Sequence, residues 1–131
     1  MPEPQLNPEE ELVSGIIAAA RGRDRAVQVR EIARRTGIDE RRVRDIVKDL
    51  VERHHLPIGS TSGHPGGYYT ITDQAELRAV RCSLIRRAVS ILNRAKVYDK
   101  AGWVSEMAGQ LALKFKQEEE KDGRDIDGRA G

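Results

Sequence analysis

One cysteine, one tryptophan, one phenylalanine and three tyrosines among 131 residues leave this chain short of the side chains that staple or dominate small cores. The lone Cys82 excludes an intramolecular disulfide and a cysteine-based zinc site, and it reads as a small residue on a helix. With so few aromatics the core must be mainly aliphatic. No run of about 18 apolar residues occurs, and "MPEPQLNPEEE" is acidic where a secretory leader would be basic and then apolar. A soluble cytoplasmic protein with no membrane partner is therefore expected. The chain is long enough for one globular domain with appended ends, and too short for two ordinary cores.

Catalytic patterns are equally scarce. There is no phosphate loop, nucleophile elbow or dinucleotide fingerprint. His54 and His55 are adjacent and point about 100° apart on a helix end, and with His64 they make no zinc spacing. "GHPGG" is glycine-rich but lies between β-prone runs, with no helix N-terminus to offer a nucleotide. No enzyme, metal site or small-molecule cofactor is expected.

What the chain does have is segregated charge. Residues 1–20 carry four Glu and no Lys or Arg; residues 21–100 carry 18 Lys and Arg against 10 Asp and Glu; residues 101–131 carry 5 against 7. The basic middle favours a polyanionic partner.

Local signals divide the chain further. "NPEEELVSGIIAAA" offers Asn7 as an N-cap, Pro8 at the first helical position and three Glu in the first turn, with Leu12, Val13, Ile16, Ile17 and Ala20 on one face. "VREIARRTGIDERRVRDIVKDL" then spells two short amphipathic helices around a turn at Thr36, Gly37 and Ile38. Counted from Val29, the small Ala33, the turn-forming Gly37 and the sealing Val43 and Ile46 fall at helix-turn-helix offsets, with Thr36 standing where an aliphatic residue is common. On the second helix Val43, Ile46, Val47 and Leu50 share one face, and Arg41, Arg44, Asp45 and Lys48 the other. Leu56 to Thr61 and Gly67 to Thr72 read as a hairpin around "SGHPG", with Tyr69 and Ile71 expected inside and Tyr68 and Thr70 outside. Ser60, Thr61, Ser62 and His64 offer small donors to phosphate oxygens there.

Residues 10–72, carried by that two-helix stretch and by "LPIGSTSGHPGGYYTIT", resemble the winged helix-turn-helix family, in the compact form found at the N-terminus of the bacterial biotin-operon repressor and in small phage proteins. The resemblance implies a sequence-specific double-stranded DNA-binding protein, a transcriptional regulator of bacterial or phage origin. Helix 39–52 would read the major groove through Glu40, Arg41, Arg44, Asp45 and Lys48, Arg42 would touch the backbone, and the wing 57–72 would hold the adjacent backbone through Thr61, Ser62 and His64. A winged-helix protein-interaction module is the alternative.

After a cap at Thr72 or Asp73, a long helix carries Leu77, Leu84, Ile91 and Tyr98 at sevenfold spacing, with Ala88 and Ala95 between them and Ile85 and Leu92 beside. Arg81 interrupts the seam, so core packing and a coiled coil both stay open. Gly102 should break this helix. Another follows with Val104, Ala108, Leu111 and Phe115 on one face and Met107 beside them. The expected fold is mainly α with a small β-hairpin: a disordered 1–6, a winged helix-turn-helix domain over 7–72, a helical extension over 73–117 suited to a homodimer, and a disordered polar tail over 118–131.

Overall fold

The computed structural model describes residues 5–61 and 66–130, with 122–130 as backbone. The fold is mainly helical with one small antiparallel sheet. Its elements in chain order are α1 (Pro8–Ala19), a 3-10 turn at Arg23–Arg25, β1 (Val27–Gln28), α2 (Val29–Thr36), α3 (Glu40–Glu52), β2 (Ile58–Ser60), β3 (Gly67–Thr70), α4 (Gln74–Ala95), a second 3-10 turn at Lys96–Tyr98 and α5 (Trp103–Ala130). The chain divides into two compact units, Met1–Val80 and Arg81–Gly131.

In the first unit each helix starts where its cap dictates. The Asn7 side chain accepts from the Glu10 amide at 2.8 Å while the Glu10 carboxylate accepts from the Asn7 amide at 2.9 Å, a reciprocal box that fixes the start of α1. Leu6 packs partly against the core, so the expected disorder of 1–6 does not extend to that residue. Gly37 ends α2 at φ +75°, a conformation that costs glycine little, and the Asp39 side chain accepts from the Arg42 amide at 3.0 Å to start α3. Thr36, unusual for its place, donates to the Ile32 carbonyl at 2.7 Å and accepts from the Ile38 amide at 3.2 Å, so it fastens the turn with hydrogen bonds where an aliphatic residue would have used packing.

Val13 and Ile17 of α1, Ile32 of α2 and Val43, Ile46, Val47 and Leu50 of α3 form the aliphatic core, joined by Ile58. Burying each of these side chains is worth about 1.5–3 kcal/mol. Leu12, expected on the apolar face of α1, lies 55% exposed, one position off the core-facing line of Val13, Ile17 and Ala20. Beneath the core, Glu10 and His54 meet side chain to side chain at 3.2 Å, Oε2 to Nε2, both almost fully buried.

The sheet has β3 in the centre, paired with β2 through Gly59↔Tyr69 and with β1 through Val27↔Tyr68. The hairpin strands are shorter than the expected Leu56–Thr61 and Gly67–Thr72, and β1 is an addition: two residues carry too little pattern to announce a strand. Both faces of β3 are covered. Tyr68 packs partly against the helical core, whereas Tyr69, 2% exposed, lies on the other face over Gly59. The expectation holds for Tyr69, which is buried, and is corrected for Tyr68, because β3 is covered on both faces: the helical core lies on the Tyr68 side, and on the other Glu76 accepts from the Arg23 and Thr72 amides at 2.8 and 2.9 Å, holding the first turn of α4 to the sheet.

In the second unit Gly102, at φ +84°, precedes α5, and the Asp99 carboxylate accepts from the Val104 amide at 2.7 Å. Val104 and Ala108 are buried and Leu111 and Phe115 half-buried, as are Cys82, Ile85, Val89 and Leu92 of α4. Arg86 donates to Glu119 at 2.8 Å and lies 5.8 Å from the Phe115 ring centroid. The sevenfold seam is not the face that α4 covers: Leu84, Ile91 and Tyr98 are 54%, 60% and 83% exposed, because the neighbouring Ile85–Val89–Leu92 stripe faces inward instead. α5 continues to Ala130 past Glu118, where composition predicts a disordered tail; Glu118 to Lys121 are good helix formers, whereas 122–130, with three Asp and two Gly, has no such propensity.

Candidate nucleic-acid interface

The rigid base of the candidate site is the buried face of α3. Four side chains at helical spacing anchor it, so the residues between them are held on the outward side: Arg41, Arg44, Asp45 and Lys48 are all exposed, as is Glu40 at the helix start. An arginine in this setting keeps its planar fork of donors available to two acceptors at once.

Arg42 behaves differently. Its Nη2 lies 3.2 Å from Glu9 Oε1 on α1, and that carboxylate raises the guanidinium pKa above its ordinary value. Both partners are about half exposed, so the pair is worth little to stability. It aligns Arg42 toward α1 and away from the Arg41–Arg44 face.

The hairpin meets α3 across an open groove of about 490 Å³. Glu40 and Arg44 line it from α3, Val29 and Arg30 from α2, Gln28 from β1, and Ser60, Thr61, Gly67 and Tyr68 from the hairpin. Burial pushes the Tyr68 hydroxyl pKa up, opposed by the positive charge of Arg44. Sequence reasoning places Glu40, Arg44 and Thr61 at this surface and misses Arg30 and Tyr68. Arg30 is visible as the first-turn arginine of α2, while Tyr68 is hidden by the assumption that one face of the hairpin is bare.

Thr61 has a structural duty as well. Its Oγ1 accepts from the Gly67 amide at 2.8 Å and its own amide donates to the Gly67 carbonyl at 2.9 Å, closing the loop end of the hairpin. Ser62 and His64, the other two expected wing residues, lie outside the described residues. Gly67 is explained by a close approach: a Cβ there would sit 2.7 Å from the Val27 carbonyl oxygen on β1.

Chemically the surface can donate hydrogen bonds and attract anions. Among the described residues no three His, Cys, Asp or Glu side chains are grouped to hold a metal ion, and no helix is long and apolar enough to cross a membrane. No family model matches the chain, and neither a curated protein nor a solved structure is significantly similar to it.

Proposed function

We propose that this chain is a winged helix-turn-helix protein that binds double-stranded DNA in a sequence-specific manner and acts as a transcriptional regulator. One observation carries the reading: α3 is pinned by Val43, Ile46, Val47 and Leu50, and presents Arg41, Arg44 and Lys48 on its outward face beside a groove that it shares with the hairpin. A helix so held is stiff enough to enter the major groove, where Arg41 and Arg44 donate to guanine O6 and N7. The hairpin and the start of α2 then lie along the flanking phosphates, Arg30 among them, with Arg42 at the edge.

The reading includes a homodimer. One recognition helix covers too few base pairs to select a site in a genome, and two-fold pairing over half-sites about 34 Å apart is the usual remedy. The exposed Leu84, Ile91 and Tyr98 form a self-complementary stripe for that purpose; Val104, Leu111 and Phe115, which also suggested themselves, are largely covered within their own unit.

Selection of binders from random duplex DNA, repeated at two salt concentrations, tests the proposal. Enrichment of a defined, two-fold-related motif supports it. Recovery of random sequence at both concentrations sinks it and favours a winged-helix module that binds protein.

A further inference from the structure

The segment "RGRDRA" places three arginines against one aspartate in six residues, between α1 and β1, and the function proposed above uses none of them. Arg21, Arg23 and Arg25 are all exposed. The segment is nonetheless firmly placed. The Gly22 amide donates to the Thr70 carbonyl at 2.9 Å, the Arg23 amide to Glu76 Oε2 at 2.8 Å, and the Arg25 amide to the Gly22 carbonyl at 3.0 Å. Every one of these bonds uses the main chain of the segment, so none requires an arginine side chain.

Arg23 also lines a second groove, of about 290 Å³, with Asp24, Ala26, Gln28, Thr61 and Gly67. Gln28, Thr61 and Gly67 line the first groove as well. The two grooves therefore flank the same loop end of the hairpin: one is walled by α3, the other by the arginine turn and by no residue of α3. Glu76 lies beside Arg23 and offsets part of its charge, while its carboxylate accepts from the Arg23 amide, the Thr72 amide and the Thr72 hydroxyl.

We infer that Arg23 and Arg25 form a second phosphate-binding patch on the side of the hairpin away from α3, which lengthens the footprint on duplex DNA beyond the wing. The ligand is the phosphodiester backbone, read without regard to base. The inference rests on the DNA-binding reading above. A turn held by its main chain fixes where the two arginines leave the backbone, so that binding phosphate orders only their side chains.

The test is a salt titration of affinity for a selected duplex, with the intact chain and with Arg23→Gln/Arg25→Gln. Removing one arginine–phosphate interaction reduces the slope of log K against log salt by about 0.9, so the double variant should show a slope shallower by about 1 to 2. It should weaken selected and random duplexes by the same factor, leave the selected motif unchanged, and melt with the parent because the main-chain bonds remain. Trimming base pairs from the wing-side flank should weaken the parent and not the variant, and Arg23→Lys/Arg25→Lys should restore the slope. A glutamine variant with the parental slope overturns this patch alone; a parent that binds no duplex overturns the DNA reading and the patch together.

Discussion

At the scale of single residues, the side chains proposed to read bases are different from those that hold the helical core. Arg41 and Arg44 are exposed, so replacing either with Ala should leave the melting temperature nearly unchanged, cost about 1–3 kcal/mol of binding and relax specificity at one base position; equal losses on specific and random duplexes would reassign that residue to the phosphate backbone. Gly67 is the opposite kind. A Val there drives its Cβ into the Val27 backbone, so hairpin closure should weaken by about 1–3 kcal/mol and affinity should fall while the helical circular dichroism signal stays. Glu76 links sheet and helix electrostatically: amide donation from Arg23 and Thr72 lowers its carboxyl pKa from the ordinary 4.5. A depressed folded pKa stabilises the fold fully above the unfolded value and loses that stabilisation as pH falls through the folded one. Glu76→Gln should therefore lower the melting temperature near neutrality and flatten its decline below about pH 4.5, as followed by thermal melts across that range. A variant that melts as the parent does at every pH would show that the carboxylate is dispensable.

At the scale of elements, what was legible depended on whether a local signal reached far enough. Asn7 and Pro8 announced the start of α1, and Gly37 the end of α2, because caps are chemistry within one turn. Val43, Ile46, Val47 and Leu50 were legible through periodicity alone. β1 was not, since two residues hold no period, and their strand character comes entirely from pairing with Tyr68 and Gly67, far along the chain. The Glu10–His54 pair was hidden for the same reason: Glu10 already had a local role in the cap, and nothing near His54 names its partner. The groove was half legible. Its α3 wall follows from helical geometry, but Gln28 and Tyr68 are brought to it only by the sheet register.

At the scale of the whole molecule, the two units carry different tasks in this account: the first reads DNA and the second pairs copies. The sevenfold seam was legible and its fate was not, because a helix can cover only one of two adjacent stripes and Ile85, Val89 and Leu92 took the inward place. Leu84→Glu with Ile91→Glu puts charge on exposed positions, so the fold should survive, while light scattering at tens of micromolar should change from dimer to monomer and a palindromic duplex should bind far more weakly. A parent that scatters as a monomer, free and on DNA alike, removes the dimer and leaves the DNA reading standing. The central claim is tested most directly by fluorescence anisotropy of the intact protein against the best selected duplex and a scrambled duplex of equal length at physiological salt. The account predicts at least about a thousandfold preference for the selected sequence, abolished when Arg41 and Arg44 are both Ala; equal affinity for the two duplexes would contradict it.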